Sequence, residues 1–153
     1  MDWSEVAGLL APWRNYWLCT AGEELGPHAA PVWGVLVDHV LHFYTETGTV
    51  KARNLAADPR VMVHSESGDE VLIVRGTARR LGRPADHPRL VEAFAAKYTA
   101  AGDAQYLPAA TDQLNELYAV RPSSAMAWSL DAYDGSQRRW VAPAAPIVSD
   151  ASS

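Results

Sequence analysis

At 153 residues the chain is long enough for one domain with a substantial core, and its 48% hydrophobic and 20% charged residues are ordinary for a globular protein. A net charge of −5 argues against general nucleic-acid binding, and no uninterrupted apolar run is long enough to span a bilayer. The acidic start lacks the basic region of a signal peptide and the single cysteine, Cys19, excludes an internal disulfide, so a cytoplasmic location is the default expectation.

In chain order, Trp3 to Ala11 has the spacing of a short helix that Pro12 stops. Arg14 to Thr20 reads as a strand whose Cys19, inside an apolar run, is expected to be buried and inert. After a turn region at Gly22 to Pro27, His28 to Val37 reads as one longer strand, apolar on both faces. That pattern suits a barrel wall covered outside by helices or by a second subunit, with Pro31 marking an edge or a bulge. Asp38-His39 is a hairpin turn into a strand at Val40 to Thr45.

The next stretch organises the rest. Glu46-Thr47-Gly48 breaks the strand, Thr49 is a good N-cap, Val50 to Ala57 is compatible with helix, and Asp58-Pro59 ends it. A strand feeding a capped helix leaves amides converging on one spot, an arrangement that attracts anions. Lys51 stands in that first turn, where the helix dipole disfavours a cation, so the pattern is that of a phosphate pocket or of a plain surface helix with a solvated lysine.

Val61 to Glu66 and Glu70 to Leu81 read as a hairpin around Ser67-Gly68-Asp69. His87 to Ala101 has helical spacing with Leu90, Val91, Phe94 and Tyr98 on one face. Residues 102–112 are irregular, and Gln113 to Leu117 has the composition of a helical turn. Tyr118 to Arg121 and Ala125 to Leu130 read as two strands around Pro122, and Arg138 to Val141 as a short last one. Six or seven short strands with two or three helices indicate an antiparallel barrel over 1–142, followed by a disordered tail at 143–153.

No dinucleotide or Walker pattern, nucleophile elbow or zinc-spaced Cys/His cluster occurs. His64 with Glu66, or His39 with His42, could contribute to a metal site, but no third ligand is evident, and no metal is expected. Trp33, Trp128 and Trp140 offer flat apolar surface that suits an aromatic ligand or ordinary packing. No catalytic side chain stands out.

Residues 26–37 (GPHAAPVWGVLV), 43–61 (FYTETGTVKARNLAADPRV) and 70–81 (EVLIVRGTARRL) resemble the pyridoxamine 5′-phosphate oxidase-like superfamily of flavin and deazaflavin oxidoreductases. The resemblance implies a mainly β, α+β fold: a six-stranded antiparallel split β-barrel with flanking helices. It also implies a homodimer with the cofactor in a groove between subunits, and hydride transfer to a small electrophilic substrate such as an unsaturated carbonyl or a tetrapyrrole-like pigment. The family's cofactor positions fall on Tyr44 and Thr45 at the strand end, Thr49, Val50, Lys51 and Arg53 around the phosphate, and Pro31, Val32 and Trp33 beside the ring.

The departures are informative. Positions where the vitamin-making enzymes carry cations are Ala30, Val35 and Val50 here, and a glutamine near the ring becomes Val71. Pyridoxal phosphate synthesis is therefore not expected. The K-x-R-N-L-x-x-D-P-R form looks more like the branch that uses the deazaflavin coenzyme F420; FMN is the alternative cofactor. A non-catalytic flavin carrier, or a haem-binding barrel with His28, His42 or His64 as axial ligand, are the competing classes.

Overall fold

A computed structural model describes residues 1–144, so the tail expected at 143–153 lies, but for its first two residues, outside the described residues. The chain opens with helix α1 (Trp3–Leu10). The Asp2 carboxylate accepts from the Glu5 amide at 2.9 Å and the Glu5 carboxylate from the Asp2 amide at 2.6 Å, so two first-turn donors are satisfied reciprocally. The helix buries Val6, Ala7 and Leu10 against the barrel.

Eight strands follow: β1 (Tyr16–Gly22), β2 (Gly26–Val32), β3 (Gly34–Val37), β4 (Val40–Glu46), β5 (Arg60–His64), β6 (Glu70–Gly82), β7 (Asn115–Ser129) and β8 (Arg138–Val141). Three further helices are α2 (Val50–Ala57), α3 (Pro88–Lys97) and α4 (Tyr133–Ser136). Every pairing is antiparallel, in the order β2-β1-β5-β6-β7-β4-β3, with β8 added to β7. The strands at the two ends of this order, β2 and β3, are separated in the chain by Trp33 alone. The sheet must therefore curl until its edges meet, and this makes it a split barrel. No helix among the described residues is long and apolar enough to cross a membrane.

Three sequence expectations change. The single strand His28 to Val37 is two, because the chain turns a corner at Trp33-Gly34. There Gly34 runs so close to the Tyr16 ring that a Cβ would come within 2.9 Å of it. The two strands around Pro122 are one: β7 runs through the proline because a register shift between Arg75 and Gly76 makes Ser123 an extra residue. Proline needs no ladder hydrogen bond at such a bulge. The helical turn expected at Gln113 to Leu117 is instead the start of β7, whose Leu117 is fully buried. Among the described residues there are thus eight strands rather than the six of the resemblance.

The Asp38-His39 hairpin turn holds: both residues have positive φ, 51° and 61°, as a tight turn of matching twist requires. The barrel interior is filled by Tyr16, Leu18, Leu41, Phe43, Val63 and Val74 among others, with Leu55 of α2 reaching in. A second cluster lies outside the wall, where Leu90, Phe94 and Tyr98 at α3 cover Val35 and Leu117. This explains the two-sided apolar character of β3. Among the described residues nothing covers the outer face of β2, where Pro27, Ala29 and Pro31 are exposed.

Candidate functional site: a capped turn beside an aromatic cleft

The end of β4 and the start of α2 form a compact turn. Gly48 takes φ 83°, which favours glycine, and lets the chain reverse into Thr49. Thr49 is the N-cap: its hydroxyl accepts from the Ala52 amide at 3.3 Å and lies 3.0 Å from the Glu46 carbonyl and 3.2 Å from the Thr45 hydroxyl. The amides of Val50 and Lys51 have no intrahelical acceptor, as in any first turn. The Thr47 amide bonds the Leu114 carbonyl at 2.9 Å, which anchors the turn to the loop before β7.

Lys51 is half-buried and has no hydrogen bond or ion pair among the described residues. Arg53 is exposed and lines a different groove, of about 300 Å³, that also touches Gly48 and Arg80. Arg60 is committed elsewhere, with its guanidinium 2.7 Å from Asp58.

Tyr44, Thr45 and Trp33 line one open cleft of about 660 Å³, together with Tyr106, Asp112 and Leu114. Its wall is a chain of aromatic rings. Trp33 lies parallel to Tyr98, ring centres 4.3 Å apart and 5° between planes, and meets Tyr106 edge-on at 6.1 Å. The Tyr44 hydroxyl donates to the Tyr106 carbonyl at 2.8 Å, and burial pushes its ionisation well above the usual tyrosine range. Of the other expected positions, Val32 points into the barrel core, Pro31 is exposed on the edge strand and Val50 is half-buried at the turn; none of the three lines this cleft.

Behind the wall sits a polar network. The Tyr98 hydroxyl accepts from the Gly34 amide at 2.8 Å and lies 2.7 Å from the Arg14 carbonyl. The Lys97 ammonium donates to the Tyr16 hydroxyl and the Gly34 carbonyl, both at 2.8 Å. With no carboxylate partner among the described residues, burial lowers its pKa to about 8. Arg14 grips Asp103 with two bonds, 2.7 and 3.0 Å, and lies 4.9 Å from the centre of the Trp33 ring.

Sequence reasoning missed Tyr106, Asp112, Leu114 and Lys97. The first three stand in or just after the irregular stretch, which carries no periodicity. Lys97 stands one position before Tyr98, on a helix read for its apolar face.

The family model for pyridoxamine 5′-phosphate oxidase matches residues 4–130. The chain belongs to that family. Among solved structures, it is similar to a conserved hypothetical protein from Mycobacterium tuberculosis, with TM-score 0.71 and 21% identity over 94% of each chain. A structure described as an F420 reductase aligns with TM-score 0.57 and 22% identity, over 75% of this chain and 90% of that one. A heme binding protein from Mycobacterium smegmatis aligns with TM-score 0.65 and 21% identity, over 92% of this chain and 58% of that one. A search of curated protein sequences finds no match.

Within the pyridoxamine 5′-phosphate oxidase family, the replaced cation positions have clear places here. Val35 is buried against α3, and Ala30 and Val50 are half-buried. The candidate haem ligands are scattered. His42 is buried in β4, with burial lowering its pKa; His64 lies 2.8 Å from the Ser65 carbonyl and is stacked on Trp17; His28 is half-buried on β2. None of the three lines the aromatic cleft. Cys19 is half-buried rather than buried as expected, and that partial burial raises the pKa of its thiol.

Proposed function

We propose that this member of the pyridoxamine 5′-phosphate oxidase family is an oxidoreductase that uses coenzyme F420. Its phosphate would be held at the Thr45–Thr49 turn, and its substrate would be a small electrophilic compound. The observation that carries the reading is Lys51: a lysine without a hydrogen bond or ion pair among the described residues, in the first turn of a capped helix whose first two amides have no intrahelical acceptor and whose turn carries the Thr45 and Thr49 hydroxyls. That donor set fits a phosphate, which accepts from amides, hydroxyls and ammonium alike. Thr49 and Lys51 would hold it, with Tyr44, Pro31, Val32 and Trp33 beside the ring system and Val50 and Arg53 flanking. The cofactor supplies the hydride chemistry; the protein supplies position and electrostatics.

Support for the deazaflavin over FMN comes from charge. Ala30, Val35 and Val50 leave Lys51 as the main anchor, and one lysine cannot give an arginine's bidentate grip. The carboxylate tail of coenzyme F420 could recruit Arg53, which is exposed and unpaired among the described residues. The similarity to an F420 reductase fold points the same way. FMN remains the second reading, favoured by family membership and by the aromatic surface at Trp33. The active form would be a homodimer, with the exposed outer face of β2 in the interface and the cofactor groove between subunits.

Isothermal titration of both cofactors at one salt concentration tests the choice. Tighter binding of coenzyme F420 is expected. Tighter FMN binding, or yellow FMN-loaded protein directly from expression, promotes the second reading.

A further inference from the structure

The groove between α2 and the strands β6 and β7 is a polar site apart from the phosphate turn. It holds about 300 Å³ and is lined by Arg53, Arg80 and Glu116, while Lys51 does not line it. Arg53 is exposed and makes no hydrogen bond or ion pair among the described residues. Arg80 uses one nitrogen, Nη1, for both Glu116 oxygens, at 3.2 and 3.1 Å, so its Nε and Nη2 have no partner among the described residues. Two guanidiniums against one carboxylate leave one positive charge in excess, in a chain whose net charge is −5. Tyr118 adds a neutral donor. It is 4% exposed, it borders the groove, and its hydroxyl has no hydrogen-bond partner among the described residues. Burial first, and then the Glu116 carboxylate, raises its pKa, so the hydroxyl keeps its proton at neutral pH. Its ring is held by parallel stacking on Phe43, centres 5.0 Å apart.

We propose that this groove is a binding site for a carboxylate on a short aliphatic arm. A nearly buried hydroxyl without a partner calls for an acceptor atom, because an unsatisfied donor is costly. A guanidinium with two uncommitted nitrogens suits a planar carboxylate, which takes parallel bonds. One positive charge in excess fits a monoanion, whereas a phosphate dianion would leave Glu116 facing an uncompensated negative charge. The remaining walls include Ala52, Leu55, Ala56 and Ala78, which offer apolar surface to a hydrocarbon arm. A volume of about 300 Å³ is at the small end for ligand sites, which limits the arm to a few carbons. The site stands on these residues and does not rest on the function proposed above. Such a carboxylate has two sources, a free acid or the tail of a bound coenzyme F420, and competition tells them apart.

The test is an NMR titration of the isotope-labelled full-length chain at low salt and neutral pH, with hexanoate, its neutral isostere hexanamide and inorganic phosphate. Hexanoate should bind saturably, shift the amides of Gly48, Ala52 and Ala56, and bind at least about tenfold tighter than hexanamide. Arg53→Gln should keep the melting curve, since Arg53 is exposed without a hydrogen bond or ion pair among the described residues. It should weaken hexanoate by about threefold to tenfold and leave hexanamide unchanged. Tyr118→Phe, which keeps the ring on Phe43, should weaken hexanoate by about threefold. Hexanamide as tight as hexanoate, a hexanoate affinity unchanged in either variant, or shifts confined to other parts of the chain overturn the site. Phosphate binding at the same amides as tightly as hexanoate overturns the carboxylate assignment. Displacement of hexanoate by coenzyme F420 identifies the cofactor tail as the source; simultaneous binding, or no binding of the coenzyme, identifies a free acid. Lys51→Ala keeps the two readings apart: it should leave hexanoate affinity unchanged whether or not it weakens the cofactor.

Discussion

Trp33 and Tyr98 stack at 4.3 Å where the sheet closes: Trp33 is the one residue between its two edge strands, and the Tyr98 hydroxyl holds the amide of the next residue, Gly34. The closure of the barrel and the back wall of the cleft are therefore one construction. Tyr98→Phe would keep the stacking and leave the buried Gly34 amide without its acceptor. A loss of about 1–3 kcal/mol is expected, read as a lower urea midpoint at unchanged slope.

The same network makes stability depend on pH in alkali. The Lys97 pKa is lowered from 10.5 to about 8 by burial, so between these values the unfolded chain binds the extra proton and the folded one does not. Stability then rises with pH from about 8 towards 10. Above 10 the sign reverses. Burial raises Tyr98 from 10.0 to about 12 and raises Tyr16 and Tyr44 further, so the unfolded chain loses its protons first. Chemical denaturation across this range should show a maximum between pH 9 and 10. In Lys97→Met the rising limb should disappear and the falling limb should remain.

The bulge in β7 allows no side chain opposite it. A Cβ on Gly76 would collide with the Arg121 carbonyl and approach the Pro122 Cα to 2.9 Å. Because these are backbone atoms, no rotamer change relieves the clash. Gly76→Ala should cost about 1–3 kcal/mol or more, seen as a lower Tm. An unchanged Tm would mean that the bulge is not rigid.

Much of this was legible in the sequence because it is local. The strand–turn–helix from Val40 to Ala57 reads directly from β-branched residues, a glycine, a threonine cap and a terminating Asp-Pro, and the structure keeps its boundaries within a residue or so. The split at Trp33 was not legible, since it arises from Gly34 passing the Tyr16 ring, a contact between distant residues. Pro122 misled for a similar reason: its tolerance depends on Gly76 in another strand. At the site, Tyr44, Thr45 and Thr49 come together as neighbours in sequence. Tyr106 and Asp112 join them only through folding of a stretch with no pattern of its own.

The outer face of β2 bears on assembly. Pro27, Ala29 and Pro31 alternate along it, exposed and apolar, with no helix above them among the described residues. Sedimentation should find a homodimer with an interface above roughly 2,000 Å², and Ala29→Arg should shift it towards monomer while the fold survives. A monodisperse monomer at micromolar concentration would remove the dimer from this account.

Removing the Lys51 ammonium tests the phosphate turn most directly. Lys51→Ala should leave the melting curve nearly unchanged, because Lys51 makes no hydrogen bond or ion pair among the described residues and alanine suits a helix. Titration with coenzyme F420 should then give an affinity about tenfold to a hundredfold weaker, the contribution of one charge-assisted hydrogen bond of about 1.5–3 kcal/mol. Unchanged affinity in a folded Lys51→Ala protein would contradict the assignment and move the phosphate away from the Thr45–Thr49 turn.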